Sequence, residues 1–231
     1  VTGHGKSILD EHAPAPPAKE KSKLREYAEA LVFALLIALV VRALVLQAFK
    51  IPSSSMEKTL LVGDHIFVNK FLYGYHVPGT KGRTLMYREP RKGEIVVFEF
   101  PEDPSKDFIK RIAGVPGDVV EIRQKKVYVN GKPYDEPWVQ YLDGPSTSDP
   151  LTRGKDNMPP LRVPPGKLFA LGDNRDRSYD SRFWGFVDYD AVVGKAMFIY
   201  FSIDRGAATR WYTPWSWYRL VRWERIGKLL H

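Results

Sequence analysis

Glu94-Ile95-Val96-Val97-Phe98-Glu99-Phe100 decides the fold class. Its centre is a short apolar run rich in β-branched and aromatic residues. Such a run suits a strand and is too short for an ordinary helix. The same character recurs at His65–Phe71, Val119–Ile122, Lys167–Leu171 and Lys195–Phe201. Val127 to Tyr134 carries Asn130-Gly131 at its centre, a tight-hairpin signal. Eighteen glycines and eighteen prolines punctuate these runs, and no helix-period stretch of convincing length lies between residues 60 and 205. The expectation is a mostly β fold: an antiparallel sheet domain formed by residues 50–122 and 167–231. Residues 123–166, polar and rich in Pro-Pro and Gly-Pro pairs, read as an inserted β-rich subdomain.

Upstream the pattern changes. Residues 1–24 open with a Pro-, Ala- and Lys-rich tail, expected to be flexible. Ala30 to Val41 is then unbroken apolar sequence, Arg42 interrupts it, and Ala43 to Phe49 resumes. Twelve residues fall short of about 30 Å of hydrocarbon, whereas the 23 from Tyr27 to Phe49 suffice. The run is apolar all round rather than on one stripe. Residues 25–49 are therefore expected to form one N-terminal transmembrane helix, with a buried soluble helix as the other reading. No small-x-small site follows it, which argues for an anchor rather than a cleaved leader. Lys19, Lys21, Lys23 and Arg25 precede it, so the tail is expected in the cytoplasm and the rest of the chain outside it. Near the C-terminus, Trp211 to Trp223 holds four of the six tryptophans. That segment reads either as a contact with the bilayer interface or as packing against the β domain, with a short amphipathic helix at Trp223–Leu230.

Composition removes several classes of function. The 231 residues contain no cysteine, so disulfides, thiolate catalysis and cysteine-held metals are excluded. The net charge of +8 is spread along the chain. No zinc-finger spacing, RNA-binding signature or basic zipper accompanies it, and no nucleic-acid partner is expected.

The candidate chemistry begins at Ile51-Pro52-Ser53-Ser54-Ser55-Met56-Glu57-Lys58-Thr59-Leu60, just after the apolar run. Three serines and a methionine at the exit of an anchor are poor core material but suit a working hydroxyl. A serine needs an adjacent base. Of the five histidines, none is flanked by a recognisable site, though folding can bring a distant one close. Lysine serves if burial lowers its pKa. Lys110, in Phe108-Ile109-Lys110-Arg111, is the candidate; in a strand it shares a face with Phe108, while Ile109 and Arg111 point the other way. A third block, Gly172-Asp173-Asn174-Arg175-Asp176-Arg177-Ser178-Tyr179-Asp180-Ser181-Arg182, is dense in charge. It lacks the glycine and terminal glutamate of a calcium loop, so no metal or other cofactor is expected.

These three blocks, in this order behind an apolar helix, resemble bacterial type I signal peptidases, membrane-bound Ser–Lys endopeptidases. The resemblance covers about residues 25–203. It implies Ser55 as nucleophile and Lys110 as general base. It implies Ser53 as an oxyanion donor beside the Ser55 N–H, Ser178 as a hydroxyl that orients the lysine, and Asp180–Arg182 as a structural ion pair. Phe49, Ile51, Ile66, Val97, Phe108 and Ile109 correspond to shallow pockets for small side chains, with Pro52, Met56 and Leu60 beside them. The partners implied are signal peptides of exported preproteins, cut after small-x-small sites, and membrane lipid; the chain is expected to act as a monomer. One departure is Lys58, where members often carry proline. A Ser–Lys autoprotease of the repressor-cleavage type would need a DNA-binding domain that residues 1–50 do not offer. A tethered, non-enzymatic β domain that binds a partner is the remaining alternative.

Overall fold

The computed structural model describes residues 23–76, 83–84, 88–143, 156–204 and 217–230. Residues 1–22 of the expected flexible tail, the 144–150 loop and Trp211–Ser216 lie outside them, while Lys23 and Leu24 at the end of that tail belong to the first helix. Two units are distinct, Val1–Leu39 and Val40–His231.

Helix α1 spans Lys23–Leu44. Its sequence is dominated by Leu and Ala, strong helix formers, with no Gly or Pro. Arg25 and Glu29 pair across one turn at 2.8 Å. Leu31, Phe33, Leu36 and Leu39 are each more than half exposed. No helix among the described residues is long and apolar enough to cross a membrane.

The helix ends earlier than the expected Phe49. Leu46–Lys50 is strand β1, antiparallel to β2 (Asp64–Asn69), with Phe49 opposite Ile66 and Lys50 opposite His65. Pairing gives these backbone groups ladder partners and sets Phe49 against the core, which outweighs continuation of the helix.

The remaining strands are β3 (Tyr75–His76), β4 (Arg83–Thr84), β5 (Ile95–Phe100), β6 (Asp103–Gly114), β7 (Val119–Arg123), β8 (Lys126–Val129), β9 (Lys132–Pro133), β10 (Met158–Arg162), β11 (Lys167–Leu171), β12 (Val187–Asp188) and β13 (Val192–Ser202). Single-turn helices α2 (Ser181–Trp184) and α3 (Trp217–Leu220) and short 3-10 turns at Phe71–Tyr73, Arg175–Arg177, Tyr189–Ala191 and Trp223–Arg225 complete the described elements. The main sheet is seven-stranded in the order β1-β2-β13-β5-β6-β11-β12, and a four-stranded sheet runs β10-β7-β8-β9. Strands β3 and β4 form a separate ladder, and every pairing is antiparallel.

Strand β5 is buried on both faces, as its continuous apolar run requires. Ile95 and Val97 face one cluster with Ile51, Met56, Leu60, Ile66 and Ile109; Val96 and Phe98 face another with Tyr73, Ile112 and Leu168. The small sheet packs Val120, Ile122, Val127 and Val129 against Phe169 and Leu171. It begins at Val119, four residues before the expected start of the insertion. Gly114 makes that junction possible, because a Cβ there would lie 2.6 Å from Val120 Cγ2. Asn130-Gly131 turns with φ of 53° and 77°, the left-handed pair a two-residue hairpin needs. Gln124-Lys125 does the same at 47° and 68°, without a glycine to announce it.

The C-terminal segment forms no helix over Trp223–Leu230. Trp223–Arg225 is a single 3-10 turn, after which Leu229 bridges to Phe198. Leu230 enters the cluster that holds Met56 and Leu60. Arg225 is buried against Asp64 and donates to the Thr59 carbonyl at 2.9 Å. Helical continuation would expose Leu230; the sheet backbone offers it partners and a buried seat instead.

Candidate active site

Ser55 lies in the tight turn between β1 and β2. The base of that excursion is closed by Ile51 N–H to the Asp64 carbonyl at 2.8 Å and Gly63 N–H to the Ile51 carbonyl at 3.0 Å. The Asp64 carboxylate accepts from Leu61 N–H, Ser202 Oγ and the Arg225 guanidinium. Burial alone would raise the Asp64 carboxyl; Arg225, Ser202 and the Leu61 N–H together hold it below its ordinary value. Met56 and Leu60 are fully buried beneath the turn, each contributing about 1.5–3 kcal/mol of burial. A rigid turn with one hydroxyl left over is the result.

Lys110 sits in β6, between the partner strands β5 and β11. Its Nζ donates to Ser55 Oγ at 2.7 Å and to the Ile109 carbonyl at 3.1 Å. Its side chain is 4% exposed, and Nζ lies 5.4 Å from the centre of the Phe108 ring. Burial drives the ammonium from 10.5 down to about 8; Asp180 and Asp173 oppose that, and Arg182 assists it. A neutral amine is thus accessible near neutral pH, within hydrogen-bond reach of a hydroxyl.

The third block wraps this pair. Asp173 takes a two-pronged bond from Arg111 at 2.9 and 2.8 Å and accepts from Thr59 Oγ1 at 2.6 Å. Arg111 also donates to the Gly93 carbonyl and stacks 4.2 Å over Trp138. One buried ion pair thereby ties the serine turn to the strand that carries the lysine. Asp180 is buried and accepts from Arg182 Nε at 2.8 Å and from Gly172 N–H at 3.0 Å. Burial would raise its carboxyl, but Arg182 holds it below the ordinary range.

The sequence matches the family described as signal peptidase, peptidase S26, over residues 24–201. It is 35% identical to the signal peptidase I of Rickettsia typhi, over 91% of this chain and 95% of that protein. It is also 35% identical to the signal peptidase I of Pseudomonas aeruginosa, over 82% of this chain and 78% of that protein. The chain belongs to the S26 signal peptidase family. Among solved structures, a signal peptidase I from Enterococcus faecalis V583 is 31% identical, covering 47% of this chain and 97% of that one at a TM-score of 0.38.

Seen as a signal peptidase, the molecule places its expected site residues unequally. Ser55, Lys110 and Ser53 converge: Ser53 is exposed, and its Oγ lies 3.5 Å from Ser55 Oγ. Asp180 and Arg182 pair as expected. Ser178 differs. Its Oγ is buried and near enough to Asp180 to help hold that carboxyl low, yet it makes no hydrogen bond of good geometry, to Lys110 or to any other described group. Lys110 Nζ instead takes its second partner from its own strand, the Ile109 carbonyl. Of the expected substrate-contact residues, Pro52 is exposed, and Phe49 and Phe108 are half-buried. Ile51, Met56, Leu60, Ile66, Val97 and Ile109 belong to one buried cluster behind the turn. Lys58 has φ +80°, which a proline ring cannot adopt, so the turn is built differently from one with proline at that position. Its Nζ donates to the Pro137 carbonyl at 2.9 Å.

Several supports are not expected from the sequence. Glu136 pairs with buried Arg175, Lys125 with Asp176, and Gln140 bridges to Asn174, so the stretch after the small sheet braces the third block. Gly172 is another. A Cβ there would stand 2.1 Å from Ser178 Oγ and 2.5 Å from the Ser55 carbonyl oxygen. The carbonyl is backbone and cannot swing aside. Gly172→Ala is therefore expected to lower kcat/KM by about a hundredfold through displacement of Ser55. Steady-state cleavage by the purified variant checks this, and wild-type turnover would contradict the contact.

Proposed function

We propose that this chain removes signal peptides by acyl transfer, with Ser55 as nucleophile and Lys110 as general base. Signal-peptide removal by a serine endopeptidase is the activity of the family to which the chain belongs. The observation that carries the residue assignment is the 2.7 Å bond between Lys110 Nζ and Ser55 Oγ, in a buried setting that lowers the amine. Neutral Lys110 takes the Ser55 proton as Oγ attacks the scissile carbonyl. The oxyanion is received by the Ser55 N–H and Ser53 Oγ, and protonated Lys110 then gives its proton to the leaving amine. Water, deprotonated by Lys110, releases the acyl-enzyme. Ser178 and the Asp180–Arg182 pair support the lysine, Ser178 by packing rather than by a direct bond.

The substrate side follows from the packing behind the turn. Ile51, Met56, Leu60, Ile66, Val97 and Ile109 are already in contact with one another, so the surface they back has little depth. Pro52, Phe49 and Phe108 form its accessible part. Side chains such as Ala, Gly or Ser fit at the first and third positions before the cut, and a leucine does not. A peptide series carrying Ala or Leu at each position tests this: Leu at either is expected to lower kcat/KM at least about tenfold. Equal cleavage across the series would remove the small-x-small reading.

The localisation follows from the sequence of α1. Helix α1 by itself is not long and apolar enough to cross a membrane; because β1 begins at Leu46, the proposed span takes in Tyr27 to Val45, about 28 Å as a helix against the roughly 30 Å of a bilayer core, with Arg42 near its outer end. Apolar side chains exposed on all sides and Lys19, Lys21, Lys23 and Arg25 before the segment fit an inner-membrane anchor with a cytoplasmic N-terminus.

A further inference from the structure

Asn174 is fully buried in the turn after β11, and both its side chain and its backbone address the nucleophile turn. Its Nδ2 donates to the Ser54 carbonyl at 3.2 Å and lies 3.4 Å from Glu57 Oε2. Its backbone N–H donates to the Ser55 carbonyl at 3.1 Å. The amide cannot be reversed, because both oxygens beside Nδ2 are acceptors and would face Oδ1. Oδ1 itself is buried with no partner among the described residues. An unpartnered amide oxygen disfavours the fold, and an apolar side chain of similar size would avoid it. The residue is placed there for what Nδ2 does.

The two carbonyls belong to the successive peptide units on either side of the Ser55 Cα. Each unit is planar, so holding its carbonyl also aims its N–H. The unit whose oxygen Asn174 Nδ2 grips is the one whose N–H is that of Ser55. No acceptor among the described residues takes that N–H, which leaves it for the substrate. A hydrogen bond to the carbonyl end polarises the amide and strengthens the N–H as a donor. The backbone of Asn174 is held from behind as well: Gln140 N–H donates to the Asp173 carbonyl at 2.8 Å, and Arg175 N–H to the Gln140 carbonyl at 3.0 Å.

We propose that Asn174 is the positioning residue of the oxyanion hole: its side-chain amide orients and polarises the Ser54–Ser55 peptide so that the Ser55 N–H faces the developing oxyanion. This rests on Ser55 being the nucleophile. The test uses the full chain in detergent with a cleavable peptide, a peptide aldehyde that forms a tetrahedral adduct with a serine, and the corresponding peptide alcohol that does not. Asn174→Ala is expected to lower kcat about tenfold to a hundredfold with KM within about threefold. Its affinity for the aldehyde should fall by the same factor as kcat, and its affinity for the alcohol should hold. Asn174→Asp sets a carboxylate against the Ser54 and Glu57 oxygens. It should lose more, and its activity relative to wild type should rise as pH falls and the carboxyl regains a proton to donate.

A merely structural residue would change thermal stability without moving the aldehyde-to-alcohol ratio. An unchanged ratio in Asn174→Ala overturns the proposal. If that variant does not fold, a pH-independent activity ratio for Asn174→Asp overturns it instead. Cleavage by Ser55→Ala would sink the dyad reading itself, whereas an inert Ser55→Ala beside an unchanged ratio sinks only the role of Asn174.

Discussion

Ser55→Ala is expected to lower cleavage of an exported preprotein by roughly 10⁶-fold and to leave the fold intact. A loss that large is expected because, among the described residues, Ser55 carries the one hydroxyl that Lys110 Nζ reaches, while Ser53 Oγ stands 3.5 Å from Ser55 Oγ and makes no bond to Lys110. The fold survives because the turn is held by other means. Met56 and Leu60 stay buried, Asp64 keeps its bonds to Leu61, Ser202 and Arg225, and Asp173 keeps Thr59. Among the described residues, the side-chain bonds removed are the one from Lys110 Nζ to the hydroxyl and the one shared between the Ser53 and Ser55 hydroxyls. Preprotein cleavage, run beside thermal unfolding of wild type and variant, checks both halves. Residual activity within a hundredfold of wild type would end the assignment.

Lys110→Met is expected to abolish cleavage to a similar degree while raising the stability of the protein. The amine's pKa falls from 10.5 to about 8 on folding, chiefly through burial. Each unit is 1.36 kcal/mol, so the fold carries a penalty of about 3 kcal/mol below pH 8. Because the folded pKa lies below the unfolded one, the unfolded chain binds more protons between about pH 8 and 10.5. Wild-type stability therefore rises with pH across that window and is lowest beneath it. Methionine fills a similar volume without a charge to bury. After allowance for the Ser55 hydroxyl losing its partner, about 2 kcal/mol remain, or roughly 4–8 °C in Tm at pH 7. The methionine variant should also lack the rise in stability above pH 8. The same titration governs turnover: wild-type kcat/KM should climb with pH and level off above about 8, as the amine loses its proton. A variant of unchanged or lower Tm would mean that the lysine is less desolvated than its surroundings imply. A rate independent of pH between 6 and 9 would remove it as the base.

Much of this was legible before any coordinates. The β5 and β11 runs are apolar as a strand covered on both faces requires, β13 buries alternate residues, and Asn130-Gly131 names its own turn. The three blocks around Ser55, Lys110 and Gly172–Arg182 carry the family resemblance that proposes the nucleophile and base. Other features have no local signal. Gln124-Lys125 turns as tightly as Asn-Gly, but its composition does not say so. Leu46–Lys50 continues an apolar run, and helix or strand is equally compatible with those residues until β2 supplies a partner. Ser178 carries the expected hydroxyl, but whether it bonds to Lys110 is decided by its rotamer in the folded chain, and there it does not.

By itself the sequence determined the class of fold and the presence of an N-terminal helix, because those depend on residue type and short-range spacing, and its three blocks proposed Ser55 and Lys110 as the reacting groups through their resemblance to the family. The tertiary structure decided that Ser55 and Lys110, 55 residues apart, meet at 2.7 Å, and that Arg111 is spent on Asp173 rather than on the lysine. It also decided the reactivity. An amine loses its proton near neutral pH only when neighbours from distant parts of the chain exclude water from it, and solvent exclusion belongs to the packed whole rather than to any one segment.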